Sequence, residues 1–178
     1  MLWRGPWHGN PDRTNLSSSL FLSTLLTASL LVQGCSQDEL PSSVTAVVEY
    51  IVDGDTIDVM VNGSIERVRL IGIDTPEIAH GSEPADCGGE EATRFLARNL
   101  PIGTPVVISR DVVARDHYGR LLGYITRTTD EVSVNLLLAA AGYARPLSIT
   151  PNVKLASEIA DAYSIARRER VGIWGSCP

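Results

Sequence analysis

The feature that most constrains this chain is a series of β-branched runs joined by tight-turn signals in its first half. Ala46 to Val52 is rich in Val, Ile and Tyr and reads as a strand. Asp53-Gly54-Asp55 is a turn signal, because Asp side chains bond nearby backbone and Gly takes conformations closed to other residues. Thr56 to Val61 alternates in polarity and reads as a second strand. Asn62-Gly63 follows, the strongest short hairpin signal, since the favoured two-residue turn needs positive φ at both central positions. Ile65 to Ile73 reads as a third strand. These runs form a β-meander.

Beyond a Gly-, Ser- and Pro-rich loop, Glu90 to Leu100 reads as a helix, with acidic residues in its first turn and Pro101 as its stop. Val106 begins a fourth strand and Leu121 to Thr126 gives a fifth. Val134 to Ala141 is a short helix ended by Gly142, and Asn152 to Arg170 a long one with Leu155, Ile159, Ala162, Tyr163 and Ala166 on one face. Five short strands with a helix between the third and fourth is the arrangement of an OB-fold barrel. The expected class is α+β, mainly β, with three helices. Only 6% of residues are aromatic against 44% hydrophobic, so the core must be mainly aliphatic.

The N-terminus has a different character. Leu20 to Val32 is an apolar run preceded by Arg4 and Arg13. It is shorter than the roughly 20 residues a spanning helix needs and has the length of a signal-peptide core. Residues 1–34 are therefore expected to be a signal peptide and the protein to be exported. Val32-Gln33-Gly34-Cys35 resembles the lipobox of bacterial lipoproteins, although Gln33 and Val32 depart from the usual residues. That leaves two outcomes, lipidation at Cys35 with membrane anchoring, or plain secretion after cleavage nearby. Residues 35–43 read as a polar tether and 44–178 as the folded domain. In an oxidising compartment Cys87 and Cys177 are expected to form a disulfide, the alternative being two unpaired thiols.

The formal net charge is −6, which argues against a protein that grips nucleic acid by bulk positive charge. It leaves open a site in which a bound cation supplies the local positive charge. Three clusters carry candidate chemistry: Asp53-Gly54-Asp55-Thr56, then Arg69-Leu70-Ile71-Gly72-Ile73-Asp74-Thr75-Pro76-Glu77, then Asp116-His117-Tyr118-Gly119-Arg120. In order and spacing they resemble the staphylococcal nuclease family, over a span from about Val47 to Trp174.

The resemblance implies a calcium-dependent, monomeric phosphodiesterase that cuts DNA and RNA and leaves 3′-phosphate products. It implies that Asp55 and Asp74 hold calcium through their carboxylates and Thr75 through its backbone carbonyl, in keeping with the preference of calcium for hard oxygen ligands. It implies that Glu77 orients or deprotonates the attacking water, and that Arg69 and Arg120 stabilise the transition state. Arginine suits that role, offering paired, permanently charged donors to phosphate. Asp116 and Tyr118 match residues lining the family's nucleotide pocket. Arg67 shares a face with Arg69 but is read as a surface or ion-pair residue.

The chain departs from the family in one segment, Tyr143 to Thr150. Where tyrosines are expected to stack on the substrate base, Ser148 and Thr150 stand instead. Such stacking contributes about 1–3 kcal/mol per base. Arg145 is a candidate to compensate by contacting phosphate. Two other functions remain open at this point, a non-catalytic OB-fold module that binds nucleic acid, and a lipoprotein whose barrel binds another protein. The first would be expected to lose the Arg–Glu–Arg set, which is present here; the second predicts that alanine variants of Arg69, Glu77 and Arg120 keep full function in the cell.

Overall fold

The computed structural model describes residues 42–177. The signal peptide expected over 1–34, Cys35 and the tether up to residue 41 lie outside the described residues. The first strand, β1 (Ser43–Ile51), starts where the tether was expected to end.

The meander is present as β1, β2 (Thr56–Val61) and β3 (Ser64–Leu70), paired antiparallel, with Val59 opposite Glu66 and Thr56 opposite Arg69. Asn62 and Gly63 both take positive φ (49° and 84°), as the hairpin signal requires. Two later strands, β5 (Pro105–Ser109) and β6 (Leu121–Arg127), complete a closed barrel in the order β1-β2-β3-β6-β5. Its closure is a parallel pairing of β3 with β6, Arg69 lying opposite Leu122. Closure leaves no free edge to be shielded.

Inward positions of the strands fill the barrel with Val48, Ile57, Val59, Val68, Leu70, Val106 and Ile125, all fully buried. Helices α1 (Gly89–Asn99), α2 (Val134–Ala140) and α3 (Ala156–Arg168) add Leu96, Leu138 and Ile159 to the same core. Each such side chain contributes about 1.5–3 kcal/mol by leaving water. The aliphatic core is the one the composition called for.

The structure differs from the sequence reading in three places. The third strand does not run to Ile73 but stops at Leu70, and Gly72, at φ 82°, turns the chain into a separate strand, β4 (Gly72–Asp74). The positive φ is what calls for glycine there, and a Cβ would meet the tip of the Ile159 side chain on α3 (Cδ1 at 2.6 Å). The freed backbone of Ile71 is satisfied elsewhere. Its N–H donates to the Gly123 carbonyl (3.1 Å), and its carbonyl accepts from Asn135 Nδ2 (2.8 Å). Next, β4 pairs with a strand absent from the sequence reading, β7 (Arg145–Leu147). Finally, α3 starts at Ala156 rather than 152, because Asn152 is engaged elsewhere: its side chain accepts from Val113 N–H (2.8 Å) and donates to Val113 carbonyl (2.9 Å).

The C-terminus ends in a single turn, α4 (Ile173–Ser176), where Trp174 meets Tyr163 edge-on at 5.3 Å. Cys87 and Cys177 are bonded, with Cα atoms 5.8 Å apart and a sequence separation of 90. A loop of that length corresponds to stabilisation on the order of 4–5 kcal/mol if the bond acts by restricting the unfolded chain.

Candidate active site

The site begins at the turn between β1 and β2. Asp55 N–H donates to Asp53 Oδ1 (2.9 Å), closing the turn on itself. A Cβ on Gly54 would sit 2.5 Å from Thr75 Oγ1, so only glycine lets this turn close against the loop after β4. Asp55 is thereby 4% exposed. Its Oδ2 accepts from Thr75 N–H (3.1 Å) and Thr75 Oγ1 (3.3 Å), and lies 2.9 Å from Arg69 Nη2. Thr56 Oγ1 donates to its other oxygen at 3.2 Å.

Arg69 leaves the end of β3 and ties the cluster together. Besides Asp55, its guanidinium reaches Asp74 Oδ1 (3.4 Å) and donates to the carbonyls of Leu70 and Ile73, the latter at 3.0 Å. Asp74 reaches this position by a route the sequence reading did not anticipate. With Ile65 to Ile73 as one strand, it would follow directly on the strand paired with Thr56 to Val61. It lies instead on β4, opposite Arg145 of β7, and the break at Gly72 aims it back toward Arg69.

Charge in this corner is unbalanced. Burial pushes the Asp55 carboxyl from its ordinary 3.8 up to about 7. The Arg69 charge opposes that rise, Asp53 and Asp74 add to it, and the Thr75 N–H opposes it. One guanidinium does not offset three neighbouring carboxylates. The carboxylates of Asp55 and Asp74 supply hard oxygens here, both in contact with Arg69, and the Thr75 N–H bonds to Asp55. Among the described residues no group of three or more His, Cys, Asp or Glu side chains is tight enough to hold a metal by itself.

Arg120 comes from the opposite side, on a turn organised by Asp116. Asp116 Oδ1 accepts from the N–H groups of Tyr118 (3.0 Å) and Arg120 (2.9 Å), and Oδ2 accepts from Arg120 Nε (2.7 Å). Burial works against the charge of Asp116, yet these bonds hold its carboxyl below the usual range. Arg69, Asp116 and Arg120 line one cavity of about 390 Å³ whose far wall is Leu147, Ile149 and Thr150.

Glu77 follows Pro76 on the loop leaving Thr75. Its side chain is 62% exposed, with His80 Nε2 at 3.9 Å. Partial burial and the charges of Asp53 and Asp74 push it upward, while His80 and Arg69 pull it down. Its electrostatic neighbours are thus those of the Asp55 corner.

The remaining candidates are placed differently. Tyr118 is 74% exposed and borders a neighbouring groove, with Arg120 Cζ 5.5 Å from its ring centroid. Arg145 lies outside the wall of the shared cavity, its guanidinium 5.9 Å from the Trp174 ring, so the expected phosphate contact gains no support from its position. Thr150 lines the cavity; Ser148 does not. Arg67 is held by both oxygens of Asp58 (2.8 and 2.9 Å). The sequence reading missed Asp53 as the brace of Asp55, although the Asp-x-Asp spacing carries that signal. It also missed the aliphatic wall, for which no motif exists.

A family model described as staphylococcal nuclease homologue matches residues 67–176. The chain belongs to the staphylococcal nuclease family. A thermonuclease of Staphylococcus intermedius is 37% identical over 128 residues, covering 72% of this chain and 74% of the relative. A thermonuclease of Staphylococcus hyicus is 34% identical over 126 residues, covering 71% and 73%. The SPbeta prophage-derived endonuclease YokF of Bacillus subtilis is 33% identical over 132 residues, covering 74% of this chain and 44% of its own length. As a member of this family the chain is a nuclease, a hydrolase of phosphodiester bonds in nucleic acid.

Proposed function

We propose that the chain is a calcium-dependent phosphodiesterase that hydrolyses both DNA and RNA to 3′-phosphate products. One observation carries this reading: Arg69 bridges Asp55 and Asp74 while lining the same cavity as Arg120. Two arginines thus line one cavity, and one of them is tied to the carboxylates of Asp55 and Asp74.

The residues present fit a calcium ion. Asp55 is a buried carboxylate that its surroundings leave short of positive charge, and Asp74 and the Thr75 carbonyl supply further hard oxygens. Two carboxylates and one carbonyl leave coordination places for water and a phosphate oxygen. Asp55, Asp74 and Thr75 would hold the ion, which supplies positive charge against the phosphate oxygens when bound.

The chain's own residues do the rest. Arg69 and Arg120 donate paired hydrogen bonds to the phosphoryl oxygens, matching the charge that grows on them as the water oxygen bonds to phosphorus. Glu77 orients that water or takes its proton. The bond from phosphorus to the 5′ oxygen breaks, the 5′ oxygen gains a proton, and the phosphate stays on the 3′ oxygen. Asp116 holds the Arg120 turn in place, and Tyr118 flanks the path of the strand.

The protein is further proposed to be exported, either anchored through lipid on Cys35 or released. No helix among the described residues is long and apolar enough to cross a membrane. Mass spectrometry of the mature N-terminus decides between a lipidated Cys35 and free cleavage.

Digestion of DNA and of RNA by the full chain, with calcium and then with chelator, tests the function. End-group analysis should find 3′-phosphates on both polymers. Folded protein that degrades neither in calcium would sink the enzymatic reading in favour of a binding module.

A further inference from the structure

Glu77 has the most demanding role in this site and the least support for its side chain. Among the described residues its carboxylate makes no hydrogen bond, only the loose pairing with His80 at 3.9 Å. Its placement must therefore come from its backbone. Both backbone polar groups go to a single residue. The Glu77 carbonyl accepts from Asp86 N–H (2.9 Å), and Glu77 N–H donates to Asp86 Oδ2 (3.3 Å). The first residue of α1 presses on the same peptide: a Cβ on Gly89 would lie 2.2 Å from the Glu77 carbonyl oxygen.

What holds Asp86 lies one residue further on. Cys87 is bonded to Cys177, and a Cβ on Gly88 would meet Ile173 Cγ2 at 2.4 Å, so this stretch is seated directly on α4. Between Glu77 and Asp86, among the described residues, the backbone is otherwise fastened only by a small bridge, His80 N–H to Glu83 carbonyl (3.1 Å) and Glu83 N–H to His80 carbonyl (2.9 Å). Residues 79–87 are exposed. Few buried contacts and exposed backbone bonds mark a segment that opens at low cost.

We propose that Asp86 is a positioning residue for Glu77, and that the Cys87–Cys177 bond serves the reaction by anchoring Asp86 rather than by stability alone. The inference rests on the role proposed above for Glu77. The C-terminal turn thereby takes part in setting the rate, although it contributes no side chain to the cavity. Arg69, Arg120 and the Asp55 corner hang on β2, β3, β4 and the Asp116 turn, so the clamp governs the water-handling group without governing phosphate or calcium binding.

The test compares Asp86→Ala, Asp86→Asn, Glu77→Ala, the double variant Asp86→Ala/Glu77→Ala, and Cys87→Ser/Cys177→Ser in the full chain. Each is assayed on single-stranded DNA for kcat, KM and the calcium midpoint, with thermal unfolding recorded beside them. Asp86→Ala should lower kcat about tenfold to a hundredfold, as expected for a slightly misplaced reacting group, with KM and calcium midpoint unchanged. Asp86→Asn should recover most of kcat, because an amide oxygen still accepts from Glu77 N–H. Cys87→Ser/Cys177→Ser should lower kcat in the same direction at temperatures where it remains folded. In the Glu77→Ala background Asp86→Ala should cost nothing further, since a group that acts through another has no effect once that other is gone. Wild-type kcat in Asp86→Ala, or an additive loss in the double variant, overturns the proposal. Full kcat in Glu77→Ala overturns the role given to Glu77 and this inference with it, and that outcome is distinguishable because the variant leaves Asp86 intact. Should the cysteine variant fail to fold, the Asp86 series decides alone.

Discussion

The two sides of the cavity are built on opposite principles. On one side, Arg69 lines the cavity and is held by Asp74, two carbonyls and the buried Asp55, which also receives bonds from Thr75 and Thr56. On the other, Leu147 and Ile149 are 39% and 65% exposed and offer no polar group to a ligand. The one amide nearby, Asn152, spends its side-chain oxygen and nitrogen on Val113. The first side is over-determined by its many contacts, as charge stabilisation in a transition state requires. The second presents the aliphatic side chains of Leu147 and Ile149 beside the Thr150 hydroxyl.

The contrast breaks first at Arg69. Arg69→Ala should lower kcat by at least about 10³-fold, because it removes a preorganised donor from the centre of the network. It should also lower the melting temperature, since Asp55 is left buried and uncompensated. Arg120→Ala should lower kcat by about 10²–10³-fold while leaving the melting temperature nearly unchanged. Asp116 would still receive two backbone N–H bonds there, and the turn is more open. Steady-state kinetics and thermal unfolding on the two variants check both halves, and equal destabilisation by both would mean that the sides differ less than the contacts indicate.

A second measurement addresses the unbalanced charge. The folded-state carboxyl of Asp55 is raised, so its ionisation opposes folding. Below about pH 4 the group is protonated in folded and unfolded chains alike and the cost is absent. It grows as pH rises from about 4 and is complete above about 7, where it should reach a few kcal/mol in calcium-free protein. Asp55→Asn should flatten this decline. Calcium should raise the melting temperature more at pH 8 than at pH 5. Denaturant titrations across that range in chelator are the check, and a stability that climbs between pH 5 and 8 would contradict the assignment.

How far this was legible in the sequence follows from the range of each interaction. The barrel could be read because its signals are local: alternation in Thr56–Val61, the Asn62-Gly63 turn, and the acidic start and Pro stop around α1. The clusters at Asp55, Asp74 and Arg120 were legible as patterns. The way they meet was not, because it depends on Gly72 breaking what reads as one apolar run and on β4 finding β7 some seventy residues later. Pairing between distant three-residue strands leaves no periodic trace. The hold of Asp86 on Glu77 was equally silent, since an Asp in an exposed, Gly- and Pro-rich loop looks like any solvated residue until the backbone groups it meets are known.

The smallest expected effect probes the aliphatic wall directly. Thr150 lines the cavity at a position where the family resemblance led us to expect a stacking ring. Thr150→Tyr should restore a π-face beside the bound base, lowering KM for single-stranded DNA about fivefold or more, in line with the lower end of base–aromatic stacking. kcat should stay as it was, because Arg69, Arg120 and Glu77 are untouched and the added contact is made equally in ground and transition states. Purine- and pyrimidine-rich oligonucleotides should also begin to differ, since stacking strength depends on the base where contact with Leu147 and Ile149 does not. An unchanged KM in a folded variant would show that the base does not rest on this wall. The cavity would then have one functional side rather than two.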